Sequence, residues 1–151
     1  MNIEQRLEWH AKAASLELPG LPFINGRFVT PETEKYFQSI NPATGKAVCS
    51  ISEGSGEDVD HAVSVARKAF EDGRWSKLGP SVRKAILFRI ADLIDQNADD
   101  LALMDSLEMG KAISSARSEV PFASGFFRFY GEALDKIYGY VAPSDDITLA
   151  L

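Results

Sequence analysis

The hydrophobic period of this chain turns from strand-like to helical at Ser55, and that change limits the folds open to it. Over residues 22–51, short apolar runs are cut by Gly and Pro turn signals, the mark of strands joined by tight turns. From Ser55 to about residue 138, apolar residues recur at three- and four-residue spacing, the mark of successive helices. The strands therefore come early and as local pairs. The expected architecture is mainly helices plus N-terminal β-hairpins.

A first helix is expected over about residues 2–16, with Ile3, Leu7, His10, Ala11 and Ala14 on one stripe. Pro19-Gly20 and Pro22 end it. Phe23-Ile24 and Phe28-Val29 then flank Asn25-Gly26-Arg27. Asn-Gly is a strong hairpin signal because both residues tolerate positive φ. Lys35–Ile40 and Lys46–Ile51 form a second pair across Asn41-Pro42-Ala43-Thr44-Gly45, where Pro42 presets a type I turn.

Ser55 caps the next helix, whose face is Val59, Ala62, Val63, Ala66 and Phe70. Glu57, Asp58 and Asp60 favour its positive N-terminus. Gly73 ends it. Pro80 suits the first position of a further helix, with Val82, Ile86, Leu87, Ile90, Leu93 and Ile94 as its buried stripe. Asn97–Asp100 breaks that helix, and Leu101–Met109 continues as another up to Gly110. The last helix is expected from near Ser118 to about Tyr138. It carries one stripe of Phe127, Tyr130, Leu134 and Ile137, and a second of Phe122, Phe126, Phe129 and Ala133. A helix apolar nearly all round is normally buried on most sides. The other elements offer one apolar face each, so a partner surface outside this chain is expected. Ile147–Leu151 reads as the start of a strand with no polar tail, which points to a chain that continues.

Charge and composition exclude several classes. Lys+Arg number 16 against Asp+Glu 22, a formal net charge of −6, which leaves no basic excess for a nucleic-acid backbone. No apolar run reaches the length of a membrane span, and the first ten residues hold no apolar signal segment. A cytoplasmic setting without membrane or nucleic-acid partners is the expectation. The single Cys49 excludes a disulfide framework or a Cys-rich zinc site, and His10 and His61 fit no metal spacing.

Local motifs give no complete catalytic site. Gly54-Ser55-Gly56 follows a strand and opens a helix, but the third glycine of a dinucleotide fingerprint is Val59 here. Glu57 and Asp58 would also face the pyrophosphate, so a capped helix start is the better reading. No phosphate loop, zinc-protease helix or nucleophile elbow occurs. Cys49 lies in a strand with no helix start beside it and no cation beyond Lys46, which favours a structural cysteine over a nucleophile. Glu108 stands at a helix end, where the macrodipole disfavours negative charge. Two compensations stay open for it: a cation with hard oxygen ligands, or a salt bridge to Lys111.

Taken in order, several blocks resemble the start of the NAD(P)-dependent aldehyde dehydrogenase superfamily. They are Phe23-Ile24-Asn25-Gly26 with Phe28-Val29, and Ile40-Asn41-Pro42-Ala43-Thr44-Gly45. Next come Glu57-Asp58-Val59-Asp60, Ala62-Val63, Ala66-Arg67-Lys68-Ala69-Phe70, Trp75, Pro80 with Arg83, and Ile90-Ala91-Asp92-Leu93-Ile94. Leu107-Glu108-Met109-Gly110-Lys111, Arg128-Phe129-Tyr130 and Asp135-Lys136 complete the series. Leu7–Leu18 and Gly139–Pro143 look most like the γ-glutamyl-γ-aminobutyraldehyde dehydrogenase branch.

The resemblance implies an α/β fold, incomplete here. Residues 1–137 would be the N-terminal part of the coenzyme-binding domain, and 138–151 the start of the oligomerisation strands. It implies oxidation of an aldehyde to a carboxylic acid through a cysteine thiohemiacetal, with hydride passing to NAD or NADP and a glutamate-activated water cleaving the thioester. The family's cysteine, glutamate, oxyanion asparagine, cofactor-binding lysine and glycine-rich turn match no residue here, and Cys49 does not match the nucleophile's motif. Hence no catalytic and no cofactor-binding residue is carried over. NAD or NADP belongs to the complete enzyme, and none is expected bound by this chain alone. The complete enzyme would be a homo-oligomer. A structural monovalent cation would fall to Ile40, with Ser39 beside it, and Glu108. Phe122 would border the mouth of the substrate tunnel, with a plain core aromatic as the alternative. A second functional reading is a non-catalytic interaction module or split-enzyme subunit that packs on another dehydrogenase chain.

Overall fold

The computed structural model describes residues 2–136. Helix α1 spans Ile3–Ser15. Asn2 starts it with a reciprocal cap: its Oδ1 accepts from Gln5 N at 2.8 Å, and Asn2 N donates to Gln5 Oε1 at 3.0 Å. The face turned toward the body is Trp9, Lys12, Ala13 and Leu16, all half-buried. The Ile3–Leu7 stripe, expected to pack, stands exposed at 77% and 64%. Lys12 decides this orientation, because its partners are Asp99 and Asp100.

Two separate antiparallel pairs follow. Strands β1 (Phe23–Ile24) and β2 (Arg27–Phe28) pair Phe23 with Phe28. The two-residue loop has Asn25 at φ 54 and Gly26 at φ 77, the twist that matches strand pairing. The Phe23 and Phe28 rings meet edge-on at 5.1 Å. Strands β3 (Tyr36–Ile40) and β4 (Ala47–Ser52) pair Phe37 with Ile51 and Ser39 with Cys49, and a register shift between Ser39 and Ile40 sets Ile40 opposite Ala47.

Helix α2 (Gly56–Glu71) opens on the Ser55 cap, with Ser55 N donating to Asp58 Oδ2 at 2.8 Å and Asp58 N to Ser55 Oγ at 3.1 Å. The Gly54–Gly56 turn is thus a capped helix start. Helices α3 (Pro80–Gln96), α4 (Ala98–Met109) and α5 (Ile113–Ala133) form the packed body, and α5 ends in a 3-10 turn over Leu134–Lys136. Helix α5 begins ahead of the expected Ser118, and Pro121 lies inside it. Burial of Ala116 and Val120 against Ala102, with Ile113 packed alongside, carries the helix through a residue that removes one internal hydrogen bond.

The core is small. Ala102, Ala116 and Val120 are buried, with Ile94, Ala98 and Ile113 packed against them, and Ala91 and Leu103 are buried as well. Gly131 brings α5 onto α3, since a Cβ there would stand 2.8 Å from Phe88 Cε1. The stripe expected to bury α3 divides. Leu87, Ile90 and Ile94 are half-buried, while Val82, Ile86 and Leu93 are exposed. Helix α2 divides likewise. Ala62, Val65 and Ala69 border the β1–β2 hairpin, and Val59, Val63 and Phe70 are exposed. The expected strand at Ile147–Leu151 and the helix end near Tyr138 lie outside the described residues.

Candidate functional site

Glu108 is placed by the way α4 ends. Gly110 takes the left-handed conformation (φ 72), and its N–H donates to Ser106 O at 3.2 Å. A Cβ on Gly110 would stand 3.0 Å from Pro42 Cγ, so the end of α4 sits directly on the β3–β4 turn. That turn is closed by Asn41 N donating to Lys46 O at 2.9 Å and Gly45 N to Asn41 O at 2.8 Å. The contact brings the last turn of α4 to β3, where Ser39 Oγ donates to Glu108 Oε1 at 3.2 Å. Ile40 follows at the end of β3, beside the register shift.

The structure therefore joins Ser39 to Glu108 and sets Ile40 next in the chain. Lys111 does not pair with Glu108; its Nζ turns to Glu119 instead. The side-chain donors brought together are a carboxylate and a hydroxyl, both hard oxygens. Among the described residues no group of three or more His, Cys, Asp and Glu could hold a metal ion. One carboxylate with neutral oxygens fits a monovalent cation better than a divalent one. Cys49 is half-buried in β4, opposite Ser39.

Phe122 is 70% exposed and stands on the outward seam of α5 with Phe126, Phe129 and Tyr130. It is no core aromatic among the described residues. Phe129 and Tyr130 meet edge-on at 5.3 Å.

Three charge clusters were not readable from the sequence. Arg128 Nη2 bridges Asp92 Oδ1 at 2.9 Å and Asp95 Oδ2 at 2.8 Å, tying α5 to α3. Hydrogen bonds from Ser124 and then Arg128 hold the Asp95 carboxyl below the usual carboxylate range. Lys84 joins Glu132 at 2.7 Å and Asp135 at 3.2 Å. Lys12 joins Asp99 and Asp100, and Arg117 Nε holds Asp99 from the other side at 2.8 Å. The Asp99 carboxyl is lowered first by its Arg117 hydrogen bond, against desolvation, and further by Lys12. These pairs span 18 to 88 residues, so no local spacing rule finds them.

Comparison with known proteins follows the same outline. The sequence pattern of the Aldehyde dehydrogenase family matches residues 28–151. The NADP/NAD-dependent aldehyde dehydrogenase PuuC of Escherichia coli (strain K12) is 39% identical over 100% of this chain and 31% of its own length. The indole-3-acetaldehyde dehydrogenase AldA of P. syringae, solved in complex with NAD+ and IAA, superposes with a TM-score of 0.90 at 36% identity. That match covers 95% of this chain and 29% of the other. The γ-glutamyl-γ-aminobutyraldehyde dehydrogenase of Burkholderia cenocepacia J2315 superposes at 0.88 with 37% identity, over 92% of this chain and 28% of the other. The chain thus spans about a third of the length of the proteins it matches. No helix among the described residues is long and apolar enough to cross a membrane.

Proposed function

The chain belongs to the aldehyde dehydrogenase family, and from that premise we propose that it forms the N-terminal portion of an NAD(P)-dependent enzyme oxidising an aldehyde to a carboxylic acid. The observation that carries the proposal is 39% identity to PuuC over the whole chain. Residues 1–137 belong to the coenzyme-binding domain in this reading, and 138–151 open the oligomerisation strands of a cytoplasmic homo-oligomer. When bound, NAD or NADP accepts the hydride of the aldehyde. The residues described here act at a distance from that step. Ser39, Ile40 and Glu108 hold a structural monovalent cation that fastens the end of α4 to β3. Phe122 borders the mouth of the substrate tunnel.

The substrate proposed is γ-glutamyl-γ-aminobutyraldehyde. Leu7–Leu18 and the likeness to the Burkholderia cenocepacia enzyme support it. A chimera in which this chain replaces the aligned part of PuuC tests the proposal. The chimera is expected to form NADH or NADPH from that aldehyde, and this chain alone to form none. Turnover by this chain alone, or a folded and oligomeric chimera with no aldehyde oxidation, would overturn it.

The exposed seam of Phe122, Phe126, Phe129 and Tyr130 favours a second reading. In it the chain is a non-catalytic or split-enzyme subunit seated on a separate dehydrogenase chain. Co-purification with such a chain at fixed stoichiometry supports this reading, and its absence removes it.

A further inference from the structure

Helix α1, unlike α3, α4 and α5, sends no side chain into the core. No residue of α1 is buried. Its exposed apolar residues Ile3 and Leu7 face away from the body. Among the described residues, the polar ties from α1 to the body all run through one side chain. Lys12 Nζ lies 3.2 Å from Asp99 Oδ2 and 3.3 Å from Asp100 Oδ1, at the start of α4. The same ammonium lies 5.9 Å from the centroid of the half-buried Trp9 ring. Asp99 is shared with Arg117 of α5. The docked state is therefore a neutral cluster of two cations and two carboxylates, and only Lys12 belongs to the arm.

The space behind this contact is not packed. An open cleft of about 400 Å³ separates Gln5, Glu8 and Trp9 of α1 from Ile113, Ser114 and Arg117 at the start of α5. Chain anchoring resumes at Gly20, whose carbonyl accepts from Ser52 N at 2.9 Å and Ser52 Oγ at 3.1 Å. The stretch from Leu16 to Pro19 between helix and anchor is not part of a helix or strand. An arm whose polar ties run through one charged side chain, on a connector with only Leu16 and Leu18 half-buried and an unfilled cleft beneath it, has the parts of a reversible latch.

We propose that α1 is an ion-latched arm. It docks through Lys12 onto Asp99 and Asp100, and it swings about the Gly20 anchor when that charge contact is screened or removed. Opening uncovers the cleft wall of Ile113, Ser114 and Arg117. All four charged groups of the cluster are partly exposed, with side chains 38% to 62% accessible. Pairs of this kind are weak and salt-sensitive, so the arm responds to ionic strength across the ordinary laboratory range. Undocked, a helix of 13 residues has little stability of its own, so opening and fraying of α1 report together.

Hydrogen exchange of the full chain, followed by mass spectrometry, reads the latch. Raising NaCl from about 0.05 M to about 0.5 M is expected to speed exchange in Ile3–Ser15 by about 3- to 10-fold, the range two exposed ion pairs support. Exchange around the buried Ala91, Leu103 and Val120 of α3, α4 and α5 is expected to change less over the same range, since apolar packing as well as the rim ion pairs holds those positions. In Lys12→Gln, α1 is expected to exchange at the fast rate at both salt concentrations. Lys12 is half-buried and lies outside the core cluster of Ala102, Ala116 and Val120, so this variant keeps the α3–α5 protection that shows it is folded. A wild-type α1 rate that ignores salt would overturn the latch. So would a Lys12→Gln variant that keeps the wild-type rate or its salt response.

Discussion

One methyl group on Gly110 tests how Glu108 reaches Ser39. Gly110 holds φ 72, and its Cβ would stand 3.0 Å from Pro42 Cγ. An alanine there is strained in the left-handed region by about 1–2 kcal/mol and also presses the β3–β4 turn. Gly110→Ala is therefore expected to lower unfolding stability by about that amount in urea, and Gly56→Ala, with nothing within 4 Å, serves as the control. The cation proposal makes a separate claim on the same site. Replacing KCl with tetramethylammonium chloride at equal ionic strength should lower the melting temperature of the wild type and leave Glu108→Gln unmoved. Equal responses would remove the cation from Glu108. The carboxylate was legible in the sequence as a charge at the wrong end of a helix. Its partner was not. Ser39 lies 69 residues away, and the contact exists because Pro42 rests on Gly110. Lys111 was the plausible local partner at three residues' spacing, but that spacing rule holds only along a continuous helix. Gly110 ends α4, and Lys111 leaves the helix surface for Glu119.

At the scale of elements, the helices were legible and their inward faces were not. Periodicity marks Val82, Ile86 and Leu93 as strongly as Leu87 and Ile94, because it counts apolar residues and ignores size. Helices approach most closely where side chains are smallest. Here those are Ala91, Ala102, Ala116 and Gly131, all buried. Charge then lines the rim of the contact. Arg128 meets Asp92 and Asp95 on α3, and Lys84 of α3 meets Glu132 and Asp135. Hydrogen bonds from Ser124 and then Arg128 hold Asp95 below its ordinary value, Lys84 does so for Glu132, and Lys136 and then Lys84 for Asp135. The sign follows directly. Carboxylates lowered in the folded state bind fewer protons there than in the unfolded chain, so their contribution is complete above the ordinary carboxylate range. It is lost as pH falls through the lowered folded values. The melting temperature, followed by far-UV circular dichroism, is expected to hold from neutral pH to about pH 5 and to fall steadily below about pH 4. Asp95→Asn should flatten that fall, since one linked proton is gone. An acid limb identical to the wild type would show that the Asp95 contact does not bear on the stability of the α3–α5 pair.

Across the whole molecule, the apolar surface exceeds what the small core can cover. The sequence marks α5 as apolar on nearly all sides, and the structure shows which side lacks a neighbour among the described residues. Phe122, Phe126, Phe129 and Tyr130 are exposed at 70%, 63%, 66% and 61%. The first three are spaced by four and three residues, so they make one continuous strip on one face. The buried residues Ala116, Val120, Ser124 and Gly131 occupy the opposite face. An aromatic strip of this kind is a contact surface in water, because contiguous apolar patches of a few hundred Å² rarely remain free. The described residues cannot turn it inward, since the α3 and α4 contacts already hold the other face of α5. The purified chain is therefore expected to self-associate as its concentration rises, with sedimentation velocity showing growing species. Two charges placed on the strip, Phe122→Glu with Phe126→Glu, touch neither the core cluster nor the rim ion pairs. This double variant should keep the wild-type circular dichroism and sediment as a monomer over the same concentrations. A wild type that stays monomeric would overturn the reading of the strip as a self-association surface. Association unchanged in the double variant would move the sticky surface to the other exposed stripes, Val59, Val63 and Phe70 of α2.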